Sequence, residues 1–152
     1  MSATSINLRS AGIAAVIALS VLAGCSSGDP SQEIEAREAF RLASEGNLTI
    51  IDIRAPSEWR ETGVGQNVER VSMAAFAGRD SFAKALLEKV DGDHDAPIAL
   101  IGKAGTRSAK VLPIMQKQGF TNIRHIPEGM LGTRREDGWI AKGLPVEECP
   151  QC

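Results

Sequence analysis

An uninterrupted apolar run, Pro97-Ile98-Ala99-Leu100-Ile101, passes directly into Gly102-Lys103-Ala104-Gly105-Thr106-Arg107-Ser108. A short apolar run, a tight Gly-containing loop and then a helical pattern from Thr106 or Ser108 predict a strand, a turn and a helix. The loop is thereby placed at the carboxyl end of a buried β-strand. Backbone N–H groups of such a loop face inward and form an anion cradle at the start of the following helix. Arg107 adds a planar positive fork suited to an oxyanion, or to a nearby carboxylate.

The same pattern recurs along the chain. Strands are expected at Leu48 to Ile53, a continuous apolar run that then becomes polar, at Ile98 to Ile101 and at Asn122 to Ile126, with a short one at Val68 to Met73. Helical spacing is read between them at Asp80 to Val90 and Ser108 to Gln118. Pro113 should kink the latter, because it removes one backbone donor. A first helix is expected from an Asp29 cap and Pro30 to Gly46, with a short turn or helix at Ala55 to Trp59 and another at Arg134 to Lys142. Thr62 to Asn67, Asp91 to Asp95 and Pro127 to Gly132 read as loops. Gly143 to Cys152 reads as a tail. Strands alternating with helices predict an α/β fold, a central parallel β-sheet flanked by helices on both faces. Ligand sites of such sheets lie at the carboxyl ends of the strands. Besides the Gly102 loop, Asp52-Ile53-Arg54 and Glu128-Gly129-Met130 fall at such ends.

Four ordered stretches resemble the rhodanese-like sulfurtransferase family. Ile51-Asp52-Ile53-Arg54, with Glu58-Trp59 and Thr62-Gly63, resembles its first motif. Ile98 to Ser108 resembles its active-site strand and loop, Cys-x-x-Gly-x-Arg-Ser. Gly119-Phe120 with Asn122-Ile123 resembles the next helix-to-strand step. Glu128-Gly129-Met130, Gly138-Trp139 and Gly143-Leu144-Pro145-Val146 resemble its closing motif. The resemblance implies one rhodanese-like domain over residues 31–147. The loop length matches too: the spacing from Gly102 to Arg107 is that of the sulfurtransferases and one residue shorter than in related phosphatases.

Family chemistry requires a Cys at the first loop position, whose thiolate takes a sulfane sulfur from a donor such as thiosulfate. Here that position is Gly102. Glycine has no nucleophile, and neither Lys103 nor Thr106 can form a persulfide. Two readings follow. In the first, residues Gly102, Lys103, Ala104, Gly105, Thr106 and Arg107 form a non-catalytic site for a small anion or sulfur compound, or serve a protein partner. In the second, Cys149 and Cys152 supply the sulfur-carrying or redox thiols. No cofactor is expected, and no His, Cys and carboxylate cluster has metal-ligand spacing.

The remaining features concern placement. Residues 1–24 read as a signal peptide: one charge, Arg9, then an apolar stretch of small residues from Ala11 to Ala23, too short for a comfortable membrane span. The stretch ends Leu22-Ala23-Gly24-Cys25, which resembles the bacterial lipobox. That resemblance implies cleavage before Cys25, lipidation of its thiol and anchoring to a membrane through the lipid. Ser26 after the Cys then implies the outer membrane, facing the periplasm, with residues 25–30 as a tether. An exported chain in an oxidising compartment favours a disulfide between Cys149 and Cys152 in the 148–152 tail; a redox pair and a two-Cys metal contact are the alternatives. The formal net charge is −2, tyrosine is absent and aromatics make up 4%. Neither a basic face nor a stacking platform for nucleic acid is expected. Asp52, Arg54 and His125 are expected to be framework residues. Glu58 and Trp59 should cap and pack, and Lys103 and His94 should be solvated.

Overall fold

The structure, a computed structural model, describes residues 32–152. The expected Asp29–Pro30 cap and Cys25 lie outside those residues. The first helix, α1, spans Ala36–Ser44, and Glu35 caps it by accepting from the amides of Arg37 and Glu38. A carboxylate at that position satisfies two otherwise unpaired donors and complements the helix dipole.

Strand β1 is Thr49–Asp52 and helix α2 is Pro56–Thr62. Strand β2 is Val64–Gly65, inside the segment expected to be loop, and β3 is Val68–Arg70. A 3-10 turn at Met73–Ala75 replaces the end of the strand expected at Val68 to Met73. Helix α3 is Arg79–Glu88, β4 is Ile98–Ile101, α4 is Thr106–Lys117 and β5 is Ile123–Ile126. Helix α4 runs unbroken through Pro113. Strand β6, Val146–Glu147, lies in the segment expected to be tail.

The main sheet has the order β3-β1-β4-β5 and is parallel throughout. Its faces sort by the two-residue period of a strand. Ile51, Ile98, Leu100 and Ile123 point to one face and pack against Phe82 and Leu86 of α3 and Val111, Leu112 and Met115 of α4. Ile50, Ala99, Ile101 and Ile126 point to the other and pack against Ala36 and Ala39 of α1 with Met130 and Trp139. Helices thus cover both faces, and β1 and β4 are apolar on both sides because neither side meets water.

Arg134 to Lys142 is a set of turns and not the expected helix. The amides of Trp139 and Ile140 donate to Gly129 and Met130, far back in the chain. A Cβ on Gly138 would lie 2.1 Å from the Gly132 nitrogen. The segment folds on itself around that contact, and local helical bonding loses its donors. Among the described residues, no helix is long and apolar enough to cross a membrane.

Candidate functional site

Parallel strands end together, so Asp52, Arg70 and Ile101 lie side by side at one edge of the sheet. The loop from Gly102 to Gly105 leaves β4 there and enters α4. Two glycines shape it. Gly105 caps α4 at φ 74°, and a Cβ on it would lie 1.8 Å from the Pro127 carbonyl oxygen. Gly129 has φ 65°, and its Cβ would meet the Lys103 carbonyl at 2.7 Å. Both positions therefore need glycine for conformation and for clearance.

The loop's carbonyls are drawn outward. Met130 and Leu131 donate to the Gly102 and Lys103 oxygens, each at 2.9 Å, and Thr106 donates to Ala104 at 2.9 Å. The Ser108 hydroxyl donates to the Gly105 oxygen at 2.8 Å and lies 3.4 Å from His125 Nδ1. Among the described residues, no backbone acceptor takes the amides of Lys103, Gly105, Arg107 or Ser108. Those are the donors that a nest at the start of α4 would use. Burial lowers the His125 pKa, against the raising influence of Glu33 and Glu128.

Gly102 is buried, and its φ lies outside the left-handed region. A Cβ built on it meets Arg107 Cβ at 3.4 Å, the Ser108 nitrogen at 3.5 Å and Ser108 Oγ at 3.9 Å. These are ordinary contacts. The position accepts a side chain, directed at the start of α4, that the sequence does not provide.

Arg107 has a partner. Its Nη1 donates to Glu58 Oε2 at 2.9 Å and its Nη2 to Glu58 Oε1 at 3.3 Å. Of the two readings open for this arginine, the structure realises pairing with a carboxylate. Glu58 both closes the first turn of α2, accepting the Ala55 amide at 2.9 Å, and holds Arg107 across 49 residues of chain. Burial pushes the Glu58 pKa up, but the Arg107 and Ala55 hydrogen bonds outweigh it and the net shift is downward. The rest of the loop carries one further charge: Lys103 is exposed to solvent, Ala104 is half-buried, and Thr106 opens the helix at the surface.

Behind the pair lies a second arginine with no exposure at all. Arg54 bonds both Asp52 oxygens, with Nη2 to Oδ2 at 2.7 Å, and reaches Thr62 Oγ1 and the Gly63 carbonyl, each at 2.7 Å. Asp52 also accepts the Arg54 amide at 2.9 Å. This pair fastens β1 to the C-terminal end of α2, as expected of a framework. Glu128 does the same for another pair of elements. Buried, it accepts the Ala36 amide at 3.2 Å and Lys142 Nζ at 2.5 Å, tying α1 to the turn after β5.

The tail is also held. Strand β6 pairs antiparallel with β2, and Cys149 and Cys152 are joined as a disulfide. Arg70 Nη1 contacts both sulfurs, and Arg60 donates to the Cys152 carbonyl. Sequence patterning assigns no role to Glu58 as a loop partner or to Arg60 and Arg70. Each acts across tens of residues, and a pattern of spacing carries no trace of such pairs.

Residues 35–136 match the model of the family described as "Rhodanese-like domain". An uncharacterised protein of Rickettsia rickettsii is 24% identical over 117 residues, covering 75% of this chain and 95% of the relative. A chloroplastic thylakoid rhodanese-like protein of Oryza sativa is 28% identical over 146 residues; the match takes in 91% of this chain but 30% of that protein. Among solved structures, a polysulfide-sulfur transferase homodimer from Wolinella succinogenes superposes with a TM-score of 0.57 at 22% identity, covering 80% of this chain and 85% of that one.

Proposed function

This chain belongs to the rhodanese-like domain family, which is related to the sulfurtransferases, and from that premise we propose that it is a lipid-anchored envelope protein whose Gly102 loop binds a small oxyanion or sulfur compound without relaying sulfur. The observation that carries the reading is the Gly102 position itself. The loop keeps its unpaired amides, its two obligatory glycines and room for a side chain, and the side chain is a hydrogen. Covalent relay needs a thiolate, and no other loop residue can become one. The neutralised Arg107–Glu58 pair leaves binding to backbone donors, which favours weak, reversible capture of a small anion over tight binding.

The N-terminal part of the proposal rests on Leu22-Ala23-Gly24-Cys25 after an apolar stretch. Lipid on Cys25 would hold the domain at the membrane, facing the periplasm, with the loop open to solutes or to a protein partner there.

Two measurements test this. Amide chemical shifts are followed while thiosulfate or sulfate is titrated into the protein, and shifts confined to Gly102–Ser108 are expected at millimolar anion. Intact mass after incubation with thiosulfate should show no added sulfur. A silent loop, or a persulfide at any residue, overturns the loop reading. Mass analysis of the native N-terminus decides the anchor separately: an unmodified Cys25 removes it.

A further inference from the structure

The disulfide joins residues three apart. A bond closing so short a loop links no distant elements and removes little entropy from the unfolded chain. Yet the segment carrying it is placed with care. Strand β6 is laid where only glycine permits it: a Cβ on Gly63, next to β2, would lie 2.5 Å from Val146 Cγ1 and 2.7 Å from the Glu147 carbonyl oxygen. The Pro145 carbonyl accepts from Gln66 N and from Trp139 Nε1, each at 3.0 Å. Arg60 then fastens the Cys152 carbonyl, and Arg70, last residue of the edge strand β3, sets its guanidinium against both sulfurs. A disulfide has no charge for a guanidinium to pair with. A thiolate does.

We propose that Cys149–Cys152 is a thiol–disulfide exchange site, with Arg70 as the group that stabilises the thiolate released when the bond opens, and a dithiol as its electron donor. Cys149 lines the clefts on both sides of the tail, one bounded by Arg60, Glu61 and Thr62 and the other by Asn67, Glu69 and Arg70. The donor's thiolate approaches through these clefts and attacks Cys149 Sγ. A mixed disulfide forms, the Cys149–Cys152 bond breaks, and its electron pair stays on Cys152 Sγ beside Arg70. The donor's second thiolate then attacks its own sulfur in the mixed disulfide and releases Cys149. The donor leaves as a disulfide, two electrons have passed to this chain, and the two protons lost by the donor thiols end on the two cysteines. Glu147 and Glu148 line the same clefts and Glu69 is paired with Lys89, so carboxylates oppose the thiolate from the rim while Arg70 acts in contact. Contact outweighs rim charges that water separates. The site owes nothing to the Gly102 loop, and its failure leaves the loop reading untouched.

The test uses the full chain. Disulfide content is measured at equilibrium in glutathione redox buffers and in dithiothreitol. The pH dependence of iodoacetamide alkylation gives the thiol pKa of the reduced protein. The bond is expected to open in the folded protein, with one thiol titrating at least about one unit below the free value of roughly 8.5. Arg70→Gln should raise that pKa by about one unit and, at a pH above both pKa values, lower the equilibrium constant for reduction about tenfold. Arg70→Lys, which keeps the charge, should retain most of the effect, and it carries the test if Arg70→Gln fails to fold. A parent pKa at or above 8.5, a parent and Arg70→Gln that titrate alike, or a bond that opens only on unfolding each overturns the proposal and leaves a structural disulfide.

Discussion

At the Gly102 loop many elements hold a residue that has no side chain. At the Cys149–Cys152 tail two sulfurs are present on a scaffold of a few residues. The loop is built from the centre of the sheet outward: β4 aims it, Gly105 and Gly129 shape it, and Ser108, Met130 and Leu131 hold its carbonyls. The tail is held by a two-stranded ribbon and two surface arginines. The difference teaches that geometry and reactivity are separable properties here. The loop's shape is enforced by core packing and needs no side chain at position 102. The tail's chemistry depends on one guanidinium that packing does not protect.

The sharpest way to break this contrast is to return the sulfur to the loop. Gly102→Cys should gain thiosulfate:cyanide sulfurtransferase activity over a parent that shows almost none. Removing a nucleophile elsewhere costs on the order of 10⁶ in rate, so even partial recovery is measurable. The backbone at Gly102 accepts a side chain, and the new Sγ would face the Ser108 amide and the start of α4, which lowers a thiol pKa. A folded variant that takes up no sulfane sulfur and turns nothing over would show that the loop is not a preserved cradle.

Stability changes sharpen the comparison next. Arg54→Met leaves the Asp52 carboxylate buried without its partner, at a cost of about 3–5 kcal/mol in urea unfolding. Gly105→Ala meets both a left-handed φ and the Pro127 carbonyl, and should cost about 2–4 kcal/mol. Arg107→Ala breaks a pair whose arginine is 36% exposed, and about 0.5–1 kcal/mol is expected. An Arg107→Ala loss as large as that of Arg54→Met would contradict the division between framework and loop pair.

What is legible in the sequence follows the same line. Strand β4 can be read because burial on both faces leaves an unbroken apolar run, and β1 because Leu48 to Ile53 is mostly apolar. The Gly102 loop can be read because strand, glycine and helix follow one another within a few residues. The β2–β6 ribbon cannot, since each strand has two residues and the pairing spans some eighty positions. Asp29–Pro30 resembles a cap, but α1 begins at Ala36, where Glu35 meets the amides of Arg37 and Glu38. The segment from Arg134 to Lys142 reads as a short helix but forms turns. Their amides are taken by Gly129 and Met130, a competition that local periodicity does not register. Arg107 is legible as a cation; Glu58 as its partner is not, because the contact forms only when α2 folds against the loop.

The smallest expected effect tests whether the loop is coupled to the core beneath it. Glu58 and His125 both have folded-state pKa values below their ordinary ones. For such groups stability is fully present above the unfolded pKa and is lost as pH falls through the folded one, because the unfolded chain binds the proton more readily. The ordinary values are about 4.3 for Glu and about 6.5 for His. His125 should therefore weaken the fold first, as pH drops below about 6.5, and Glu58 should add to the loss below about 4.3. His125→Gln should flatten the upper part of the acid limb, and Glu58→Gln the lower part, in urea midpoints measured from pH 7 to pH 3.5. The two changes differ in what else they move. Glu58→Gln frees the Arg107 guanidinium, so anion affinity at the loop should rise as stability falls. His125→Gln touches the loop only through Ser108 Oγ and should leave Arg107 paired. If anion affinity rises equally in both variants, the loop is not insulated from the strand behind it, and the rigidity argued for the cradle fails.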